Sequence, residues 1–350
     1  MARLLIGSAG GAPSNNFVMS LRESGDRDHL IGMCAVPSDL MLADVDERYV
    51  VPYATAPDYF QRLQQVITKS RPDLIHAQHD FEVRELSRRR AEITAMGAKL
   101  FLPDAETVEN CVDKARSYEI WKRAGLTVPE TLLVTDEAVL REAFQRFGGK
   151  VWLRATEGGG GKGALPADDF EFARMWIQRF KGWGSFTAAE CLTPNSITWL
   201  SIWYQGELVV AQTRRRLSWN FGDRTLSGVT GVTGVGETCS LPLVDETSMA
   251  AIAAIDKKPH GIFAVDMTYD QQGRPNPTEI NIGRFFTTHH FFTKAGVNFP
   301  KIYRDLALEG RFPTLPRKIN PLPDGLLWIR GMDVPPLLTT VDALRALADG

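Results

Sequence analysis

Between Lys150 and Leu165 the chain reads Lys-Val-Trp-Leu-Arg-Ala-Thr-Glu, then Gly-Gly-Gly-Gly-Lys-Gly, then Ala-Leu. A short β-type run, Lys150 to Arg154, feeds five glycines and one lysine within six residues. Glycine admits φ > 0 and lets backbone come close to a ligand. Successive free N–H groups in such a turn make a concave anion site, and Lys162 adds a positive charge at its centre. Phosphate is the natural guest. Two familiar phosphate loops do not fit. The P-loop, G-x-x-x-x-G-K-[ST], would need glycine at Thr156 and serine or threonine at Gly163. The pattern G-x-G-x-x-G matches Gly158, Gly160 and Gly163, but a helix should open at once, and Ala-Leu-Pro166 follows instead. A flap between two strands, closing over a nucleotide, is left, against the plainer alternative of a surface hairpin. Residues elsewhere in the chain favour the flap.

At 350 residues the chain can hold two domains or more with sizeable cores. Its 44% apolar and 23% charged content is ordinary for a globular protein, and a net charge of −2 gives no overall basic character to recruit nucleic acid. Cys34, Cys111, Cys191 and Cys239 form no C-x-x-C pair, so neither a disulfide framework nor a zinc site is expected. The first residues carry too short an apolar run for a signal peptide, and no apolar stretch is long enough to span a bilayer. A cytoplasmic protein with no membrane partner is the expectation.

Residues 1–103 alternate strand and helix. Leu4–Gly7, His29–Val36, Asp73–Ala77 and Lys99–Leu102 read as strands. Helices are expected from Ser14, as cap, to Arg22, over 57–70, and from Asp80 to Met96. This order predicts an open parallel sheet. Ligands of such sheets sit beyond the carboxyl ends of the strands, where Gly10, Gly11, Asp80 and Glu82 fall. They line one wall of a substrate pocket, or Gly10-Gly11 merely turns the chain and Asp80 caps the next helix. Asp113-Lys114 opens a further helix, stopped at Gly125 and followed by an extended run with Pro129. A lysine at a helix start opposes the dipole and makes sense facing a phosphate.

Farther on, Ile197–Tyr204 and Leu208–Thr213 form a hairpin leading into Arg214-Arg215-Arg216. On a strand only alternate arginines share a face, so at most Arg214 and Arg216 reach one ligand. Residues 222–238, with five glycines and four threonines, read as a disordered loop or a lid. Then come strand Gly261–Tyr269, a turn, and strand Pro277–Arg284. Glu279 and Asn281 are two apart and share a face, and Asp266 on the paired strand can reach it. Hard oxygen donors of this kind hold Mg²⁺ completed by phosphate oxygens. Arg284 can bind an oxyanion bidentately. His289 and His290 read as packing against Phe291-Phe292.

Together these residues resemble the ATP-grasp superfamily, most closely the ATP-grasp halves of the carbamoyl-phosphate-synthase large subunit. The likeness covers roughly residues 1 to 300. It implies an α/β and α+β fold in which a Rossmann-like domain (1–110) precedes a two-lobed ATP-grasp domain. The lobes are a lid subdomain (111–190) and a metal and catalytic subdomain (191–310), followed by a closing segment (311–350). By the same resemblance Lys114 and Arg154 contact ATP, Gly159, Gly160, Gly161 and Lys162 cover its phosphates, and Glu190 and Leu192 form the adenine hinge. Asp266, Glu279 and Asn281 hold Mg²⁺ or Mn²⁺. Arg284, with Arg214 or Arg216, faces the γ-phosphate and an acyl-phosphate. Gly10 and Asp80 would touch substrate. The chain departs from the pattern twice: Thr198 to Ser201 stand where a ribose-binding acid is usual, and Arg284 comes one residue late. The implied activity is ATP-dependent joining of a small-molecule carboxylate to an amine, with a homodimer admissible. A nucleotide-binding partner subunit without turnover and a small-molecule kinase are the alternatives.

Overall fold

The computed structural model describes residues 1–161, 163–331 and 337–348, so Lys162 of the glycine flap lies outside the described residues. Five short strands, β1 (Arg3–Ile6), β2 (His29–Cys34), β3 (Glu47–Val50), β4 (Leu74–His76) and β5 (Lys99–Leu100), form a parallel sheet in the order β3-β2-β1-β4-β5. Parallel strands are covered on both faces and therefore read as unbroken apolar runs. Leu4, Leu5 and Ile6 are fully buried, whereas edge strand β3, Glu-Arg-Tyr-Val, shows no such run and was not foreseen. Two expectations need correction here. Ser14 lies inside the helix Ala12–Arg22 and donates to Gly7 O at 2.9 Å, with Gly11 as the cap. The helix expected to reach Met96 breaks at Arg89 into Asp80–Arg88 and Arg90–Ala95.

Beyond the carboxyl end of β1, Ser8 adopts φ 47°, and Glu82 holds it there by accepting from its N–H (3.1 Å) and its hydroxyl (3.0 Å). Glu82 is thus a buried clamp on the turn. Gly10 also serves the turn: at φ 96°, a Cβ on it would lie 1.7 Å from Asp39 O.

The second sheet is antiparallel, with β6 (Thr131–Leu133), β7 (Val151–Ala155), β8 (Leu165–Ala167) and β9 (Phe186–Ala189) in the order β6-β9-β7-β8. Helices Glu137–Arg146 and Phe170–Arg179 bury Leu140, Ala143, Ala173 and Ile177 in a core of its own. The glycine flap joins β7 to β8. The run around Pro129 forms no strand before Thr131.

The third sheet has seven antiparallel strands in the order β14-β13-β10-β11-β12-β15-β16. They are β10 (Ser196–Tyr204), β11 (Glu207–Trp219), β12 (Thr233–Thr238), β13 (Gly261–Tyr269), β14 (Pro275–Ile282), β15 (Leu326–Ile329) and β16 (Leu337–Thr340). Residues 222–238 are therefore not one loop, because the chain becomes β12 from Thr233. β14 ends at Ile282, two residues before Arg284. Chain segments far apart in sequence meet behind the first sheet. Leu4, Ile6 and Phe17 share a core with Phe285, Phe291 and Tyr303, and Arg304 binds Asp28 through two hydrogen bonds of 2.8 and 3.0 Å.

Burial raises the Glu82 carboxyl to about 7, against about 4.5 for an ordinary one. A group that binds its proton more tightly when folded stabilises the fold at low pH. That stability drains away as pH rises from the unfolded to the folded value, here by on the order of 3 kcal/mol. Glu82→Gln keeps an acceptor and a donor for Ser8 but cannot ionise. Its unfolding free energy relative to the parent should rise by that order between pH 4.5 and pH 7.5 in denaturant titrations. A difference independent of pH would show that Glu82 does not titrate in this range.

Candidate active site

Register builds the site. Arg214 on β11 stands opposite Thr198 on β10, Thr198 opposite Asp266 on β13, and Asp266 opposite Glu279 on β14. Directly opposed residues share a face of the sheet. Four strands thus present Arg, Thr, Asp and Glu as one polar row, and Asn281 and Arg216 lie two residues along from its members. The Thr198 hydroxyl accepts from Arg214 Nη2 at 2.7 Å and from Arg216 Nη2 at 3.4 Å, and donates to Asp266 Oδ1. Asn281 Nδ2 donates to the other Asp266 oxygen at 3.0 Å.

The other two sheets add their parts over this row. Lys114, first residue of the helix Lys114–Arg123, is buried; its Nζ donates to Gly158 O at 2.7 Å and lies 3.6 Å from Glu279. Asp113 caps that helix, and a carboxylate and a flap carbonyl answer the lysine's charge at its start. Arg154 on β7 donates to Thr278 O at 2.5 Å and lies 3.9 Å from Glu279. Asp80 opens the helix Asp80–Arg88 without capping it; His79 Nδ1 does that, accepting from Phe81 N at 3.3 Å. Asp80 is free to take Arg284 bidentately at 2.5 and 3.1 Å, while Arg284 Nη2 also donates to Asn281 Oδ1 at 2.5 Å. Burial alone would raise the Asp80 carboxyl, but the Arg284 guanidinium and Lys114 hold it below the usual range. Asp80, Lys114, Gly158, Glu279, Asn281 and Arg284 wall a narrow cleft that is nearly filled by their own side chains.

The flap closes on a second loop. Gly161 has φ 71°, and a Cβ on it would sit 2.7 Å from Val229 O, so side-chain-free backbone lets Gly160 and Gly161 lie against residues 229–231. Gly159 lies near Asp80 and Arg284, and Gly160 against Gly231.

The structure thus brings together Lys114, Arg154, Gly159, Asp80, Asp266, Glu279, Asn281, Arg284, Arg214 and Arg216, with Gly160 and Gly161 on the flap above. It does not bring in Gly10, whose close neighbour is the Asp39 backbone. Glu190 and Leu192 lie on the connection from β9 to β10. There Glu190 N donates to Glu130 O at 3.0 Å and its carboxylate accepts from Glu130 N at 3.0 Å. No hydrogen bond or ion pair among the described residues joins Glu190 or Leu192 to the cleft's charges. His289 is buried and stacked on Phe285, and His290 pairs with Glu23 at 3.1 Å. Sequence reasoning missed Thr198, Thr233, Thr288 and Arg330. The hydroxyls of Thr198, Thr233 and Thr288 receive Arg214 at 2.7, 3.0 and 2.9 Å, and Arg330 donates to Thr233 O at 3.4 Å. Thr198 and Thr233 stand on strands, where threonine carries no distinctive signal, and Thr288 lies in a turn before the helix His290–Lys294.

Arg214 is 1% exposed, lies 4.5 Å from the Phe286 ring centre, and has no carboxylate in ion-pair reach among the described residues. Burial, with Arg216 adding repulsion, pushes it down to about 9. Arg216 pairs only distantly with Asp266, at 3.7 Å, and stacks 3.8 Å over Trp219. Six cationic side chains, Lys114, Arg154, Arg214, Arg216, Arg284 and Arg330, surround three carboxylates, Asp80, Asp266 and Glu279. The site is short of negative charge, as a polyanion site must be before its ligand arrives.

This architecture has known counterparts. An L-amino acid ligase from Bacillus licheniformis matches with a TM-score of 0.70 at 12% identity, over 94% of this chain and 79% of that one. A biotin carboxylase from Campylobacter jejuni, solved as a β,γ-ATP complex, matches with 0.71 at 15%, over 94% and 76%. An N5-carboxyaminoimidazole synthetase from Staphylococcus aureus, solved with ADP, matches with 0.70 at 15%, over 94% and 82%. The chain has the ATP-grasp fold. At these identities the likeness is one of fold, and no protein-family model matches the sequence. The ATP-grasp fold is the mixed α/β and α+β architecture expected from the motifs. The finer resemblance to the carbamoyl-phosphate-synthase large subunit rests on those motifs alone. Among the described residues no helix is long and apolar enough to cross a membrane.

The donors available for a metal are two carboxylates and an amide. Among the described residues no group of three or more His, Cys, Asp or Glu is set to hold one. Among the described residues the Glu279 carboxylate makes only loose ion pairs and no hydrogen bond; Asp266 and Asn281, whose carbonyl accepts from Arg284, stand beside it. Hard oxygens of this number suit Mg²⁺, which keeps several positions for phosphate oxygens and water.

A buried cation without a carboxylate partner carries a desolvation cost that hydroxyl hydrogen bonds offset only in part, so an apolar residue of similar shape should cost the fold little. Arg214→Met should therefore melt within a few degrees of the parent. It should also lose the stabilisation that inorganic phosphate or pyrophosphate gives the parent. A destabilisation above about 2 kcal/mol in denaturant unfolding would instead make Arg214 a structural residue.

Proposed function

We propose that the protein is an ATP- and Mg²⁺-dependent carboxylate–amine ligase. The observation that carries this reading is the excess of buried positive charge around the Arg214–Thr198–Asp266–Glu279 row, with a glycine flap above it. Asp266, Glu279 and Asn281 would hold Mg²⁺, which when bound neutralises phosphate charge and orients the transferring group. Lys114 and Arg154, already within 4 Å of Glu279, would share the ATP phosphates with that metal site. The amide N–H groups of Gly159, Gly160 and Gly161, with Lys162, would cover them. Glu190 and Leu192 would offer backbone to adenine. These ATP roles agree with the nucleotides named for the solved relatives, and the ligase and carboxylase chemistry those names carry supports the reaction class.

The substrate carboxylate would lie on Arg214, Arg216 and Arg330. Two anions then stand face to face, each held by cations, and the repulsion that opposes their reaction is removed. A carboxylate oxygen bonds to the γ-phosphorus as the bond to the ADP oxygen breaks, giving ADP and an acyl-phosphate. A neutral amine then bonds to the acyl carbon, phosphate leaves with its electron pair, and the amine proton passes to solvent or to the departing phosphate. Exclusion of water by the flap and residues 229–231 keeps the acyl-phosphate from hydrolysis. Arg284, neutralised by Asp80 in the resting protein, becomes available to an oxyanion when that pair opens. Asp80 and the 220–232 loop would contribute to substrate choice.

A panel of small carboxylates with Mg-ATP, and hydroxylamine in place of the amine, should yield a hydroxamate and ADP for the correct acid. Oxygen-18 placed in that carboxylate should appear in the released phosphate. Unlabelled phosphate during product formation excludes the acyl-phosphate route. Glu279→Gln should lower ADP formation by about 100-fold or more while leaving circular dichroism unchanged.

A further inference from the structure

The helix Asp80–Arg88 touches more than the cleft. Asp80, Arg84 and Arg88 recur every fourth residue and so share one face. Asp80 binds Arg284 beyond β14. One turn later Arg84 donates two hydrogen bonds to Glu157, at 3.1 and 2.9 Å, and lies 3.1 Å from Glu109, which Arg88 also pairs with at 2.7 Å. Glu157 is the last residue before the glycines. Arg84 is mostly buried, and its guanidinium holds the Glu157 carboxyl below the usual carboxylate range. Neither residue lines the cleft, and the ligation reaction uses neither. Gly158–Gly161 give the flap no side chains to pack and lose the most freedom when fixed. Among the described residues its leading side is tied through Glu157 to Arg84, Gly158 O to Lys114 Nζ, and Thr156 O to Lys114 N at 2.9 Å, and its far side through Gly163 O, which accepts from Trp176 Nε1 at 3.0 Å.

We propose that Arg84 and Glu157 are positioning residues whose ion pair sets the resting place of the glycine flap over the cleft. A single helix of the parallel-sheet unit then holds both walls of the cleft, the flap stem through Arg84 and the catalytic sheet through Asp80. A nucleotide meets a flap whose stem is already ordered, and less ordering is left for it to supply. The importance for nucleotide binding rests on reading the flap as a phosphate cover; the pair's hold on the flap does not.

Hydrogen exchange of peptides spanning residues 150–165 tests this, in the parent, Arg84→Met, Arg84→Lys, Glu157→Gln and the Arg84→Met/Glu157→Gln double variant. Without nucleotide, Arg84→Met and Glu157→Gln should each speed flap exchange by roughly threefold to tenfold, the range expected of a partly exposed bidentate pair. The double variant should be no faster than the faster single, and Arg84→Lys should recover part of the protection. Exchange within the helix Asp80–Arg88 should stay unchanged, which a general loosening would not allow. The Mg-ATP concentration that half-protects the flap should rise by the same factor. Unchanged flap exchange in both single variants overturns the proposal, as does a double variant whose effect is the product of the singles. Should Mg-ATP fail to slow exchange even in the parent, the nucleotide reading fails, while the nucleotide-free comparison still decides the role of the pair.

Discussion

The row Arg214–Thr198–Asp266–Glu279 is the constraint on which the site depends. It exists because β11, β10, β13 and β14 are adjacent and in one register. Side chains alternate faces with period two, so a slip of one residue in any pairing would turn a member of the row to the opposite face. The register is guarded by burial. Ile197, Trp199, Val265 and Ile280 alternate with the polar members and pack into the core on the other side. Asp245 reinforces this by accepting from Trp199 Nε1 at 2.8 Å, from Thr213 at 3.1 Å and from Asn320. A chemically specific row is thus maintained by ordinary apolar packing underneath it.

In the resting protein each carboxylate of the site is already engaged by a cation, while the cations outnumber them. Asp80 occupies Arg284, Glu279 lies between Lys114 and Arg154, and Asp266 is shared by Thr198, Asn281 and Arg216. Ion pairs of this kind avoid the cost of leaving charges buried alone, yet each can be exchanged for a ligand anion or a cation. Arg214, like Arg330, pairs with no carboxylate among the described residues. Three hydroxyls and an aromatic face solvate it without cancelling its charge.

Much of this was legible in the sequence. The glycine run, the Glu-x-Asn pair and the alternating arginines are local patterns, and local geometry alone puts Glu279 with Asn281 and Arg214 with Arg216. Strong apolar runs likewise announced β1, β10 and β13. What was hidden depends on long-range register or weak local signal. Thr198 becomes a hub only because β10 lies between β11 and β13. β3 is a polar edge strand, and β12 was lost in a glycine- and threonine-rich stretch that closes a wide hairpin with β11 and pairs on its other side with β15, distant in the chain. Asp80 was readable as a helix cap, but His79 took that place, and its partner Arg284 lies 204 residues on. The end of β14 at Ile282, where Gly283 turns the chain at φ 68°, also escaped notice.

The joining of residues 1–30 with residues 285–309 has a consequence for biosynthesis. Asp28 waits for Arg304 across 276 residues, and Asn16 and Ser20 receive His290 N and Asn298 Nδ2 from equally far along. During translation one side of the parallel sheet has only part of its cover, Phe17, Val18 and Leu21 of the helix Ala12–Arg22, and the helix Phe299–Glu309 that completes it is made much later. Until that helix emerges, the segment carrying the sheet must stay soluble with part of its apolar surface exposed, a state open to aggregation and to chaperone binding.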